Sequence, residues 1–230
     1  MGVILITGGN KGLGRETARR LLALGHTVHI GARDAGRGRA AAEELGSGFV
    51  QLDVTDDASV AAAAAELTRG EGRLDVLINN AGVFEGVVGP EELTAGQAEA
   101  VYAVNVFGVV RVTHAFLPLL RAADSPAIVN VSSGLGSFGV VNDPARSEGA
   151  HAVPLYASSK AAVGMLTVQY AKGLPDIRVN AVDPGFTATD LNANSGPQSL
   201  EEGTDAIVRM ATAAGGPTGT FSDRSGPLPW

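Results

Sequence analysis

The stretch Val3-Ile4-Leu5-Ile6-Thr7-Gly8-Gly9-Asn10-Lys11-Gly12-Leu13-Gly14 decides how the rest of the chain is read. A short, almost wholly apolar run enters a glycine-rich turn. The turn enters residues 13–24, whose pattern is helical and stops at Gly25. Strand, glycine turn and helix form the opening unit of an α/β protein. Glycines there let the backbone turn sharply and approach a pyrophosphate, and the helix N-terminus offers it free N–H groups and a positive dipole end. The spacing is Gly8, three residues, Gly12, one residue, Gly14. No Gly-Lys-Ser/Thr closes the turn, so a nucleotide-hydrolysing P-loop is not the reading.

Working outward, short apolar runs alternate with amphipathic ones. Strands are expected at Val3–Thr7, Thr27–Ala32, 49–54, Val76–Asn79, Ala127–Val131, Arg178–Val182 and, weakly, 219–222. Several are apolar without period-2 alternation, as suits strands of a parallel sheet covered on both faces. Helices are expected at 13–24, 59–69, 96–120, 155–173 and 200–213. Alternating β and α elements predict a Rossmann-type doubly wound parallel sheet of about seven strands. No repeat and no composition break divides the chain, so residues 1–230 are expected to form one domain. The most loop-like stretches are 134–154 and 188–199, rich in Gly, Asn, Ser and Pro.

Composition narrows the function classes. Of 230 residues, 45% are hydrophobic and 18% charged, an ordinary globular balance. The net charge of −7 argues against a nucleic-acid or anionic-membrane partner. No cysteine is present, which removes disulfides, thiol catalysis and Cys-ligated zinc. The four His (His26, His29, His114, His151) are scattered, so no metal is expected. There is no signal-like start and no uninterrupted apolar stretch of membrane length, and a cytoplasmic location is the expectation.

Two features point to chemistry. Tyr156 and Lys160, in Tyr156-Ala157-Ser158-Ser159-Lys160, lie one helical turn apart and project from the same face. A neighbouring ammonium favours the phenolate, moving a phenol of pKa about 10 toward useful proton exchange. The second feature is Arg33, just past the second strand. A carboxylate at that point meets the 2′-hydroxyl of NAD, whereas an Arg accommodates the 2′-phosphate of NADP. With Lys11 as a second cation, the expectation is NADP(H) over NAD(H), although the adjacent Asp34 argues the other way.

Taken together, these residues resemble the short-chain dehydrogenase/reductase family over nearly the whole chain. The Gly8/Gly12/Gly14 turn looks like its cofactor motif, with Asn10, Lys11 and Leu13 inside it. Asp53-Val54 resembles its adenine contact, and Asn79-Asn80-Ala81-Gly82 its signature run. Asn105 matches the family's helix Asn, Ser133 its catalytic Ser, and Tyr156 and Lys160 its Tyr/Lys pair. Pro184, Gly185, Thr187 and Thr189 resemble the segment that holds the nicotinamide carboxamide. The Thr7–Gly14 turn and Trp230 look most like the carbonyl-reductase branch.

The resemblance implies reduction of a small-molecule carbonyl (ketone, aldehyde or quinone) by NADPH. Tyr156 would give the proton, Ser133 would hold the carbonyl oxygen, Lys160 the ribose, and Asn105 a relay water. A cofactor-binding sensor or scaffold without turnover, and a dehydratase or epimerase, are the alternatives. Each residue also has a plainer role open to it. Ser132 competes with Ser133, Asp53 or Thr55 could cap the next helix, Asn79 and Asn80 could tie strands, and Thr187 and Thr189 could cap turns. Asp143, Arg146, Glu148 and His151 are expected to be solvated loop residues. Phe186, with Phe138, Val140, Val141 and Leu155, offers apolar surface to a substrate. The loop before Tyr156 is of intermediate length for the family. The helices at 96–120 and 155–173 lean toward a dimer or tetramer.

Overall fold

The computed structural model describes residues 1–84 and 86–230. Its centre is a seven-stranded, all-parallel sheet. The strands are β1 (Val3–Thr7), β2 (Thr27–Ala32), β3 (Gly48–Gln51), β4 (Val76–Asn79), β5 (Ala127–Val131), β6 (Arg178–Val182) and β7 (Phe221–Ser222). They lie in the order β3-β2-β1-β4-β5-β6-β7. β1 pairs in parallel with both β2 and β4, so the chain reverses its winding there and opens a crevice at the strands' carboxyl ends.

The lack of alternation within the strands has its expected cause. Val3 and Leu5 face one core, with Leu77, Ile128, Val112 and Phe116. Ile4 and Ile6 face the other, with Ile30, Ile78, Leu21 and Ile207. Successive strand side chains point to opposite faces, and helices cover both. On one side lie α1 (Gly12–Ala23), α2 (Ala35–Leu45) and α8 (Leu200–Thr212). On the other lie α3 (Asp57–Gly70), α5 (Gly108–Arg121) and α7 (Pro154–Gly173).

Differences from the expected elements are local. The run at 49–54 stops as a strand at Gln51, because the Asp53 N–H turns to Ser59 Oγ (2.9 Å). The cap of α3 is Asp56, whose side chain accepts from Ala58 N, and neither Asp53 nor Thr55. The helix at 96–120 is continuous but of mixed winding. α4 (Ala95–Tyr102) passes through one π turn, Ala103–Phe107, before α5. The span Ala95–Arg121 is long and apolar enough to cross a membrane by composition, yet half of its apolar window is buried in the protein. Here it serves as a core helix, with Val112, Phe116 and Leu120 fully covered. The loop 134–154 is more ordered than its composition suggests, containing a 3-10 turn at Gly134–Gly136, α6 (Phe138–Val141) and a second 3-10 turn at Ser147–Ala150.

Candidate active site

The residues singled out in the sequence follow the carboxyl ends of six strands, β1 to β6, or lie on the helices beside them. β1 delivers the glycine turn. Gly8 and Gly12 have φ of +65° and +53°, values that favour glycine, and a Cβ on Gly14 would lie 2.5 Å from Asn80 Nδ2. The closeness is built in, because Asn80 Nδ2 donates to Thr7 O (2.8 Å) and Gly8 O (3.2 Å). Thr7 Oγ1 in turn accepts from the N–H groups of Asn80 and Ala81, both at 3.0 Å. Asn80 is therefore the tie between β4 and the turn. Asn79 is a buried tie on its other side, donating to Asn130 Oδ1 (2.9 Å). The Lys11 side chain does not cap α1, so the first N–H groups of that helix have no side-chain partner there. Asn10 and Leu13, in the same turn, are half-buried.

Beyond the turn, Arg33 is exposed at the end of β2, and its guanidinium has no hydrogen bond or ion pair among the described residues. Asp34 is committed elsewhere. It caps α2 by accepting from Arg37 N (2.9 Å). That bond, with Arg37 and Arg33 nearby, holds its carboxyl below the usual range. Arg37 is a further cation at this point that the sequence reading passed over. Lys11 Nζ meets Asp190 Oδ2 at 3.3 Å, with both side chains exposed. Arg33 and Asp53 border one groove of about 420 Å³ with Gln51 and Ser59. Asp53 Oδ1 accepts from the Thr55 amide (2.9 Å) and hydroxyl (2.7 Å). Burial pushes this carboxyl up, but those bonds and the charges of Arg33 and Arg111 outweigh it and leave it below its ordinary value. The Val54 side chain is buried, and its carbonyl accepts from Arg111 (2.7 Å).

Lys160 and Asn105 of the candidate catalytic group meet at the signature run. A Cβ on Gly82 would lie 3.5 Å from Asn105 Oδ1 and 3.6 Å from Lys160 Nζ, so both flank that backbone. Lys160 is buried, donates to Val131 O (2.8 Å) and sits 5.5 Å from the Tyr156 ring centroid. Burial lowers its pKa to about 8, opposed by the charge of Asp183. Asn105 sits within the π turn, a feature found often at functional sites. Its Nδ2 donates to Val83 O and Ser159 Oγ (both 3.0 Å), and its Oδ1 accepts from Val83 N (2.8 Å). The amide thus clamps the segment after β4 to α7.

The two serines separate cleanly. Ser132 is buried and donates to Lys160 O (3.2 Å). Ser133 is partly exposed, and its Oγ accepts from Leu135 N (3.2 Å). The Gly134–Gly136 turn behind it presses on α7 closely. A Cβ on Gly136 would lie 2.5 Å from the Lys160 carbonyl carbon.

After β6, Pro184 and Gly185 are half-buried at the crevice, and Phe186 is 52% exposed. Thr187 turns inward and donates to Pro184 O (3.0 Å). Thr189 caps a short turn, Asp190–Asn192, and faces Gly12. Among apolar residues near the site, Phe138 is 74% exposed, Val140 is buried, and Phe84 meets Tyr156 edge-on with centroids 5.5 Å apart. Phe84 escaped the sequence reading, where it is one more apolar residue after Gly82. Arg146 and Glu148 do not behave as solvated loop charges. They pair at 3.2 Å and are half-buried, whereas Asp143 and His151 are exposed. No group of His, Asp and Glu suited to a metal occurs among the described residues.

Comparison with known proteins shows the family and the fold. The family model described as short chain dehydrogenase matches residues 2–200. A short-chain dehydrogenase, anuI, of Penicillium roqueforti is 38% identical over 223 residues, covering 91% of this chain and 88% of its own. The (+)-neomenthol dehydrogenase of Arabidopsis thaliana is 34% identical over 266 residues, covering 90% of each. The NADPH-bound carbonyl reductase from chicken fatty liver superposes with a TM-score of 0.88 at 28% identity, covering 100% of this chain and 99% of that one.

Proposed function

The chain belongs to the short-chain dehydrogenase family of oxidoreductases, and we propose that it reduces a ketone, aldehyde or quinone with NADPH, using Tyr156 as proton donor. The observation that carries this reading is the placement of Lys160 beside the Tyr156 ring, with Lys160 and Asn105 both flanking the Gly82 backbone. The residues suit a nicotinamide dinucleotide. Gly14 lies against Asn80 where a side chain would fill the cradle, and α1 lacks a side-chain cap, leaving N–H groups for a pyrophosphate. Gly8, Gly12 and the turn residues Asn10, Lys11 and Leu13 would line that cradle. Asp53, Val54, Asn80, Ala81 and Gly82 would border the adenosine and nicotinamide riboses. Pro184, Gly185, Thr187 and Thr189 would hold the carboxamide end. Preference for NADPH is supported by the Arg33 guanidinium, unpaired among the described residues, and by the commitment of Asp34 to the α2 cap. The chicken carbonyl reductase was solved with NADPH.

When bound, the reduced nicotinamide supplies a hydride to the carbonyl carbon. The chain's own groups manage the oxygen. Ser133 Oγ accepts from Leu135 N, which sets its rotamer and leaves its O–H free to donate to the carbonyl oxygen. Tyr156 delivers the proton to the same oxygen. Lys160 uses one of its three donors on Val131 O, leaving the others for ribose hydroxyls, and its charge favours the tyrosinate left behind. Asn105 spends both amide hydrogens on Val83 and Ser159, so a relay water would meet its remaining Oδ1 lone pair or the main chain.

Phe84, Phe138 and Phe186 favour an apolar or aromatic carbonyl compound. The deciding experiment is NADPH against NADH oxidation over aromatic aldehydes, quinones and bulky ketones, with Tyr156→Phe alongside. NADPH-selective turnover falling about 100-fold or more in the mutant supports the reading. Equal turnover by wild type and mutant removes it.

A further inference from the structure

β7 is two residues long, and the chain after it turns back at once. Asp223 Oδ1 closes that turn by accepting from Ser225 N (2.7 Å) and Gly226 N (3.0 Å). Arg209 of α8 fastens the turn to the helix layer by donating to Arg224 O (3.0 Å). Leu228 N then donates to Phe221 O (2.8 Å), so residues 227–230 run back antiparallel along β7.

The returning segment meets two elements of the candidate site. Ser137 Oγ, buried at the start of α6, donates to Pro229 O (2.7 Å) while accepting from Val140 N (3.0 Å). Gly139 N donates to Trp230 O (3.0 Å), and a Cβ on Gly139 would lie 2.7 Å from Pro229 Cβ. On its other side, the Trp230 ring stacks on Phe221 with centroids 5.4 Å apart, and a Cβ on Gly164 would come within 3.1 Å of it. Tyr156, Lys160 and Gly164 are spaced four apart along α7, so Trp230 rests on the face that carries the Tyr/Lys pair, one turn beyond Lys160. The Ser133 loop is confined from within, where a Cβ on Gly134 would lie 3.0 Å from both Asp183 Oδ2 and Glu148 Oε1. Its outer end, at Ser137 and Gly139, is held by residues 227–230.

We infer that Trp230 is a positioning residue: residues 227–230 strap the Ser133 loop to α7 and so set Ser133 against the helix that carries Tyr156 and Lys160. The consequence for turnover rests on the carbonyl-reductase reading; the strap does not. Trp230→Phe keeps an aromatic ring against Phe221 and Gly164, whereas Trp230→Ala leaves that space open.

Amide hydrogen exchange without cofactor gives the first readout. Trp230→Ala should raise exchange at residues 134–141 by more than in β1, β2 and β4, because the loop loosens locally. Where the variant is folded, its NADPH-driven kcat should fall about tenfold with the carbonyl KM within about threefold. Trp230→Phe should recover most of that kcat. Gly139→Ala pushes Pro229 outward and keeps Trp230, the only tryptophan of the chain, so its emission should shift to the red and kcat should fall. A folded Trp230→Ala protein whose exchange rises no more at 134–141 than in the sheet, or whose kcat is that of wild type, overturns the inference. So does a Trp230→Phe protein no more active than Trp230→Ala. If Trp230→Ala does not fold, wild-type kcat in Gly139→Ala overturns it. If the wild type reduces no carbonyl, the reductase reading fails, while exchange at 134–141 still judges the strap.

Discussion

Burial brings Lys160 down to about 8 from the 10.5 of a free lysine, and two pH effects follow with opposite signs. Carbonyl reduction should decline as pH rises through about 8 in the absence of other limits, because the cation beside Tyr156 is lost. A kcat/KM profile flat to pH 10 would exclude this. Stability moves the other way. Between about 8 and 10.5 the unfolded chain binds more protons at Lys160 than the folded one, so stability increases with pH across that window. Urea unfolding without cofactor should show wild type gaining on Lys160→Met from pH 8 to 10. At this scale the approach of Lys160 to Tyr156 is legible from their spacing on one helix face, whereas Ser133 and Asn105 are reached in the sequence only through the family resemblance. Asp183 and Glu148 are not legible. Their meeting at Gly134 joins segments far apart in the chain, and nothing local distinguishes an inward loop glutamate from a solvated one.

Elements place these residues through close contact as much as through geometry. The Gly134–Gly136 turn reaches α7 because Gly136 has no side chain. Gly136→Ala should cost about 1–3 kcal/mol by overpacking and should lower kcat by moving Ser133 away from Tyr156. Chemical denaturation and initial rates check both, and a fully active variant of unchanged stability would refute the argument. The strands β1, β2, β4, β5 and β6 are legible to the residue, since uniformly apolar runs bounded by turn residues leave few alternatives. The helix Ala35–Leu45 is faint in the sequence. It contains Gly36 and Gly38 and buries only Gly38, Ala41 and Ala42, so it has little apolar periodicity. The π turn at Ala103–Phe107 is also hidden. Its apolar residues fit an ordinary helix, and the extra residue per turn registers only in the hydrogen bonds.

For the molecule as a whole, a cofactor spanning β1, β2, β4 and β6 should stabilise the fold in proportion to its affinity. At 100 times Kd the gain is about 2.7 kcal/mol, which for a chain of this size is a rise of roughly 5–10 °C in Tm. NADPH should produce that rise and NADH a smaller one at equal concentration. Arg33→Ala should bring the NADPH response down to the NADH level; retention of the full difference would remove Arg33 as the phosphate reader. The strand order carries another consequence, felt during translation. β1 occupies the middle of the sheet and can pair with β2 as soon as residue 32 is made, but its other edge waits for β4 at Val76–Asn79. Through that interval the nascent chain presents Val3–Thr7, every residue of which is buried in the folded protein, with one row of backbone groups unpaired. The ribosome's pace between those two points, and the chaperones that shield the strand meanwhile, therefore bear on how much of the chain reaches its folded form.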